Sequence, residues 1–247
     1  RSMPAPSSLP SRSQAVLLSA FIVFVAPAFG APSWTPLGPS GGEIHQVLTA
    51  PSDPRVVYSA DPREIFVSLD GGASWRSKFR PFENQPVHLL AVDPRDPTRL
   101  FAVFRHDGTL LVDLGGGRGI GIARLNAEAN SLAFVSPRST SSDGLLVGAS
   151  DGLYLRSTGR SWKRAGLRGR RTSHVAVSPH DPKLWFAVEL TEGNPRFSLG
   201  QLLRSTDAGK SWSETTLPTG GSFAVGAPVF DPRDSNVIYQ LAGHLRV

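Results

Sequence analysis

The sequence predicts an all-β fold assembled from a repeated unit, and three observations predict it. The first is composition: 25 Gly and 21 Pro in 247 residues, with 19% charged residues, suit many short strands joined by tight turns and suit long helices poorly. The second is a recurring phrase in which a short apolar strand runs into a Pro-containing turn and out into another apolar strand. It reads Leu48 to Tyr58, Ala91 to Phe101, Phe134 to Pro137, Val177 to Phe186 and Phe230 to Tyr239. The first prolines of these phrases, 51, 94, 137, 179 and 232, lie roughly 42–43 residues apart with one longer last step, inside the ~40–50 residues typical of a four-stranded blade. The third is a second landmark about half a repeat further on, S-x-D-x-G-x-S-W. Two landmarks in one register predict a β-propeller of four-stranded blades, with about five units visible.

Taken in chain order, the first thirty residues read as a signal peptide. Arg12 precedes the uncharged run Ala15–Ala28, and Ala28-Phe29-Gly30-Ala31 places small residues where a signal peptidase cuts. The run is too short to span a bilayer, which takes about 20 residues. The expectation is therefore a secreted or periplasmic protein with no membrane span after cleavage, residues 31–247 forming the propeller. With no Cys, packing and hydrogen bonds alone hold the fold.

The S-x-D-x-G-x-S-W signature is complete twice, as Ser68, Asp70, Gly72, Ser74 and Trp75 and as Ser205, Asp207, Gly209, Ser211 and Trp212. Ser157 to Trp162 keeps its ends without the Asp, and Gly115–Gly121 sits where another copy is due. The residues suit a strand-reversing turn: a carboxylate accepts following backbone N–H groups, Gly supplies positive φ, and Trp opens the next strand with a ring able to wedge between blades. The motif resembles the Asp-box, or BNR, repeat of sialidases, sortilin-type receptors, xyloglucanases and photosystem II assembly factors. The resemblance covers residues 33–247. It implies that the box lies on the blade's outer edge, away from the ligand face, so Asp70 and Asp207 are expected to close turns. Trp34 shares the Ser-Trp context of Trp75, Trp162 and Trp212 and is expected to start an outermost strand. Either residues 34–37 complete the fifth unit and close a small ring, or the chain is cut from a longer propeller.

Site-like patterns are few. Gly148-Ala-Ser150-Asp-Gly152 matches G-x-S-x-G, but strand-like residues flank it where a nucleophile elbow needs a helix. Gly115–Gly121 lacks both the Rossmann spacing and a G-K-[ST] sequence. The six His show no metal-ligand spacing, so no metal and no cofactor are expected. The acids Glu43, Asp61, Glu64, Asp107, Glu189 and Glu192 are available to a glycosidase, but nothing in the sequence pairs them. Phe79-Arg80-Pro81, which resembles a sialidase's arginine signature, follows the first box rather than preceding it, contrary to that family. No catalytic residue is therefore assigned.

The strongest charge feature is the run Arg156, Arg160, Lys163, Arg164, Arg168, Arg170 and Arg171, with no acid between Asp151 and Asp181. Arg160 to Arg171 is the candidate surface for an anionic ligand, and specific nucleic-acid binding is not expected because aromatic interleaving is thin. The expected function is a non-catalytic binding or assembly scaffold, with a protein or glycan ligand on the axial face. The alternative is a glycoside hydrolase of xyloglucanase type.

Overall fold

The computed structural model describes residues 36–39, 43–81, 85–105, 109–115, 120–135, 144–156, 161–194, 197–215, 223–224 and 226–243. The expected signal peptide, Trp34, Asp107, Arg160 and residues 244–247 lie outside the described residues. The described residues from Leu37 onward belong to one compact unit, and their elements are strands. Among the described residues no helix is long and apolar enough to cross a membrane.

Four sheets follow one another, each a four-stranded antiparallel meander in chain order. The first comprises β1 (Gln46–Ala50), β2 (Asp53–Ala60), β3 (Ile65–Ser68) and β4 (Arg76–Phe79). The second comprises β5 (Val87–Val92), β6 (Leu100–Arg105), β7 (Thr109–Asp113) and β8 (Ile120–Leu125). The third comprises β9 (Ala129–Val135), β10 (Gly144–Ala149), β11 (Gly152–Arg156) and β12 (Lys163–Gly166). The fourth comprises β13 (Thr172–Val177), β14 (Trp185–Asn194), β15 (Phe197–Ser205) and β16 (Ser213–Glu214). A fifth unit shows one interrupted hairpin, in which β17 (Phe223–Ala224) pairs with β20 (Ala242–Gly243) and β18 (Val229–Phe230) with β19 (Ile238–Tyr239).

The first strands of successive sheets lie side by side, β1 on β5, β5 on β9 and β9 on β13, so each sheet radiates outward from its first strand. Strand composition follows that geometry. The second strands β6 and β10 are sandwiched between neighbouring sheets and carry continuous apolar runs: Leu100–Phe104 is wholly buried, as is Gly144–Ala149. The outermost strands β4 and β12 carry Arg76, Lys78, Lys163 and Arg164.

Packing is confined to joints between neighbours. Tyr58, Ile65 and Val67 of the first sheet bury against Leu90, Leu100 and Phe104 of the second. Phe101 and Val103 meet Leu145 and Val147, Leu146 and Leu153 meet Val175 and Trp185, and Phe186 and Val188 meet Phe230 and Ile238. Each fully buried large apolar side chain contributes roughly 1.5–3 kcal/mol, so the joints supply the main favourable term.

The proline turns repeat one hydrogen-bond pattern. Asp93 N donates to Arg99 O (2.9 Å) and Arg99 N to Asp96 O (3.1 Å); Ser178, Leu184 and Asp181 repeat it, as do Asp231, Val237 and Asp234. Asp side chains tighten these turns by accepting backbone N–H groups two residues on, from Arg55, Arg95, Thr98, Lys183, Arg233 and Asn236.

The meander order puts two kinds of link at each end of a sheet. Turns from first to second strand and from third to fourth share one end, the turn end. There Gly71 N donates to Arg55 O and Ala208 N to Lys183 O. Second-to-third turns and the links between sheets share the other, the connector end, where Gly169 N donates to Asp151 O and Ser150 N to Glu128 O. The G-x-S-x-G stretch is the β10–β11 hairpin at this end, not a strand-to-helix elbow.

Candidate functional site

The two complete S-x-D-x-G-x-S-W segments have one geometry. Ser68 Oγ donates to Asp70 Oδ1 (2.7 Å) and accepts from Gly72 N (2.8 Å). Asp70 in turn accepts from Ser74 N (2.8 Å) and Ser74 Oγ (2.5 Å). The second copy matches bond for bond: Ser205 Oγ to Asp207 (2.8 Å), Gly209 N to Ser205 Oγ (2.8 Å), and Ser211 N and Oγ to Asp207 (2.9 and 2.6 Å). The hydrogen bonds from Ser74 and Ser211, first among the causes, hold the Asp70 and Asp207 carboxyls down at about 2. Both acids therefore stay ionised with their oxygens committed to the turn. Trp75 Nε1 donates to Gly72 O (3.0 Å) and Trp212 Nε1 to Gly209 O (3.1 Å). The Trp212 ring packs in the joint between the third and fourth sheets.

The other candidate region is the connector end. Gln46 staples β1 to β5, its Nε2 donating to His88 O and its Oε1 accepting from Leu90 N, both at 2.8 Å. Arg105, at the end of β6, places Nη2 3.4 Å from Asn130 Oδ1 at the start of β9. Asn130 Nδ2 then donates to Thr172 O (3.0 Å) at the start of β13. Arg105, Asn130 and the Arg171–Thr172 corner thus form one polar run across three sheets near their first strands. Burial, then the charge of Arg105, pushes the half-buried His88 below its ordinary range, and burial does the same to His174. Both imidazoles are therefore neutral at pH 7.

The structure divides the basic run. Arg164 grips Asp151, Nη2 to Oδ2 at 2.6 Å, and lies over the Tyr154 ring at 4.8 Å. Arg170 Nε pairs with Glu189 Oε1 at 2.8 Å. Arg156 is buried, its guanidinium 5.8 Å from the Phe101 centroid. Lys163 opens β12 at the strand's turn end. Of this run, Arg168 and Arg171 are exposed at the connector end without an acid at ion-pair distance among the described residues. Arg105, which no sequence pattern singled out, joins them there.

Of the four acids available to a glycosidase whose side chains are described, three are occupied. Asp61 Oδ1 accepts Arg63 N (2.7 Å) and Glu64 N (2.6 Å), Glu64 pairs with Arg80 (2.9 Å), and Glu189 pairs with Arg170. Glu43 is exposed, and the side chains of Asp107 and Glu192 lie outside the described residues. The hydrogen bond from Arg80 leads the causes that hold Glu64 below its ordinary range. Asp151, which burial pushes up, is held below its range by Arg164 and Tyr154. A general acid needs the opposite displacement. Among the described residues no cluster of three His, Asp or Glu side chains could hold a metal ion.

No family model matches the chain, and no curated protein matches it. Solved structures do. The GH74 xyloglucanase from Xanthomonas campestris superposes with a TM-score of 0.62 at 19% identity, over 80% of this chain and 35% of that one. The GH74 enzyme from Niastella koreensis gives 0.60 at 16%, over 80% and 35%. YCF48 from Cyanidioschyzon merolae gives 0.58 at 15%, over 83% and 66%. The fold is a β-propeller. At these identities the likeness carries the fold alone, and the chain spans about a third of the length of the GH74 chains it matches.

Proposed function

We propose that this chain is an exported Asp-box propeller acting as a non-catalytic binding or assembly scaffold, with its ligand at the connector end. One observation carries the reading. Of the described acids of that end, Glu64, Glu189 and Asp151 are tied up by arginines and Asp61 by its own turn, which leaves Glu43 and Glu128 exposed against the exposed Arg63, Arg105, Arg168 and Arg171. The charge left free there is mostly basic, which favours an anionic ligand. Export rests on the signal-like residues 1–30, and the Asp-box assignment on the two matched turns. Its test is reducing-sugar release from xyloglucan and from a panel of anionic and neutral glycans, run beside a binding assay on the same panel. Binding without release is expected. Sugar release abolished by Glu43→Gln would instead establish the second reading, a xyloglucanase-type hydrolase, which the GH74 neighbours favour.

A further inference from the structure

The first strands of the second, third and fourth sheets each carry one residue that falls outside the pairing register. It is His88 between Val87 and Leu89, Asn130 between Ala129 and Ser131, and Ser173 between Thr172 and His174. Each is the second residue of its strand, next to the connector end, and each side chain is polar. A bulge of this kind re-aims its side chain. Asn130 faces Arg105 Nη2 and donates to Thr172 O, and Ser173 Oγ donates to Val188 O (3.1 Å) within its own sheet. His88 is the ionisable member.

The surroundings of His88 make its protonation state consequential. Its main chain is clamped, because Gln46 holds both His88 O and Leu90 N. Its ring Nε2 is buried with no hydrogen-bond partner among the described residues. The charged groups that face the ring are the exposed Arg105 at the end of β6 and Glu128 in the link before β9. The Ala129 backbone also lies against it, and β1 presents the neutral Gln46. With the ring neutral, Arg105 rests against Asn130. A proton on His88 sets a second cation beside Arg105, and the two repel. An anion at Arg105 offsets that repulsion, so anion and proton each favour the other's binding.

We infer that anion binding at the connector end is proton-linked through His88, which tightens the hold of Arg105 on its ligand in acid. The inference rests on the anionic-ligand reading above and adds the regulation of that site. Burial, then Arg105, holds the unliganded His88 below its ordinary range, and a bound anion raises it. Affinity therefore begins to gain as pH falls through the liganded value, and the gain levels off below the unliganded one. His174 supplies the comparison. It is similarly half-buried, but burial alone lowers it, and its Nδ1 has Ser173 Oγ at 3.1 Å. It should carry little of the effect.

The test is binding of labelled dextran sulfate, whose own charge is constant over the range, at about pH 7.5 and about pH 5 and one fixed ionic strength. All proteins are full-length and carry His45→Asn, which removes the exposed imidazole just before β1. Affinity should rise about fivefold or more in acid. His88→Asn should lose most of that rise, while His174→Asn and Asp107→Asn should keep it. By NMR, the His88 Cε1–H resonance should titrate at higher pH with dextran sulfate bound than without it. No binding at either pH would overturn the ligand reading and this inference with it. Binding whose acid gain survives His88→Asn or is lost with Asp107→Asn would overturn the inference alone, as would a His88 titration that dextran sulfate leaves unmoved.

Discussion

The turns at residues 68–75 and 205–212 share every internal hydrogen bond, yet they sit in different surroundings. Behind the second, a methyl added to Gly209 would collide with the Trp185 ring and Ala165 O; around the first, one added to Gly72 would meet only Trp75 and Leu37 within 4 Å. The second also places Ala208 at φ 60, where the first has Gly71 at φ 72. The difference shows that the motif specifies the turn and the neighbouring blade decides how much each residue in it matters.

The largest break in the comparison should come at the glycine of the motif. Gly209→Ala puts a methyl 2.6 Å from the Trp185 ring at φ +83, so backbone strain and collision add, and about 3 kcal/mol or more should be lost. Gly72→Ala meets nothing closer than 3.8 Å at φ +97, so only the backbone cost of about 1–2 kcal/mol is expected. Denaturant midpoints of the two variants measure the gap, and equal losses would mean that the surroundings do not matter.

The next effect is pH-dependent. Asp70 and Asp207 are held down at about 2, against an unfolded carboxylate near ~4. A depressed acid stabilises above its unfolded pKa, and that stabilisation fades as pH falls toward the folded value. Asp70→Asn and Asp207→Asn should therefore be less stable at pH 7 and show a shallower stability loss between about pH 4 and 2. Parallel acid titrations of wild type and variants would refute the ionised-turn account.

Smaller still is the swap at the second turn position. Ala208→Gly should gain roughly 1 kcal/mol by relieving a left-handed alanine, and Gly71→Ala should lose a similar amount. Thermal melts of the pair should move in opposite directions.

The scaffold was legible in the sequence because its signals are local. Asp93, Asp96, Asp181 and Asp231 bond backbone groups two residues away, so each proline turn announces itself within a few letters. The connector end was not legible, because its contacts join distant residues. Asn130 reaches Thr172 across 42 positions, and Arg105 reaches Asn130 across 25. The basic run misled for the same reason: Arg170 is neutralised by Glu189 of the next sheet, and Arg164 by Asp151 from across the β11 hairpin. Charge counted along the chain overstated what the surface offers and missed Arg105.

The central claim is that the acidic turns build the blades while the connector-end arginines meet the ligand. The direct measurement is salt elution from a heparin column, at a temperature where all variants are folded. Arg105→Glu/Arg171→Glu should elute at markedly lower salt than wild type, and Asp70→Asn/Asp207→Asn should elute with it or slightly later. Unchanged elution of the arginine variant, or early elution of the aspartate variant, would contradict the account.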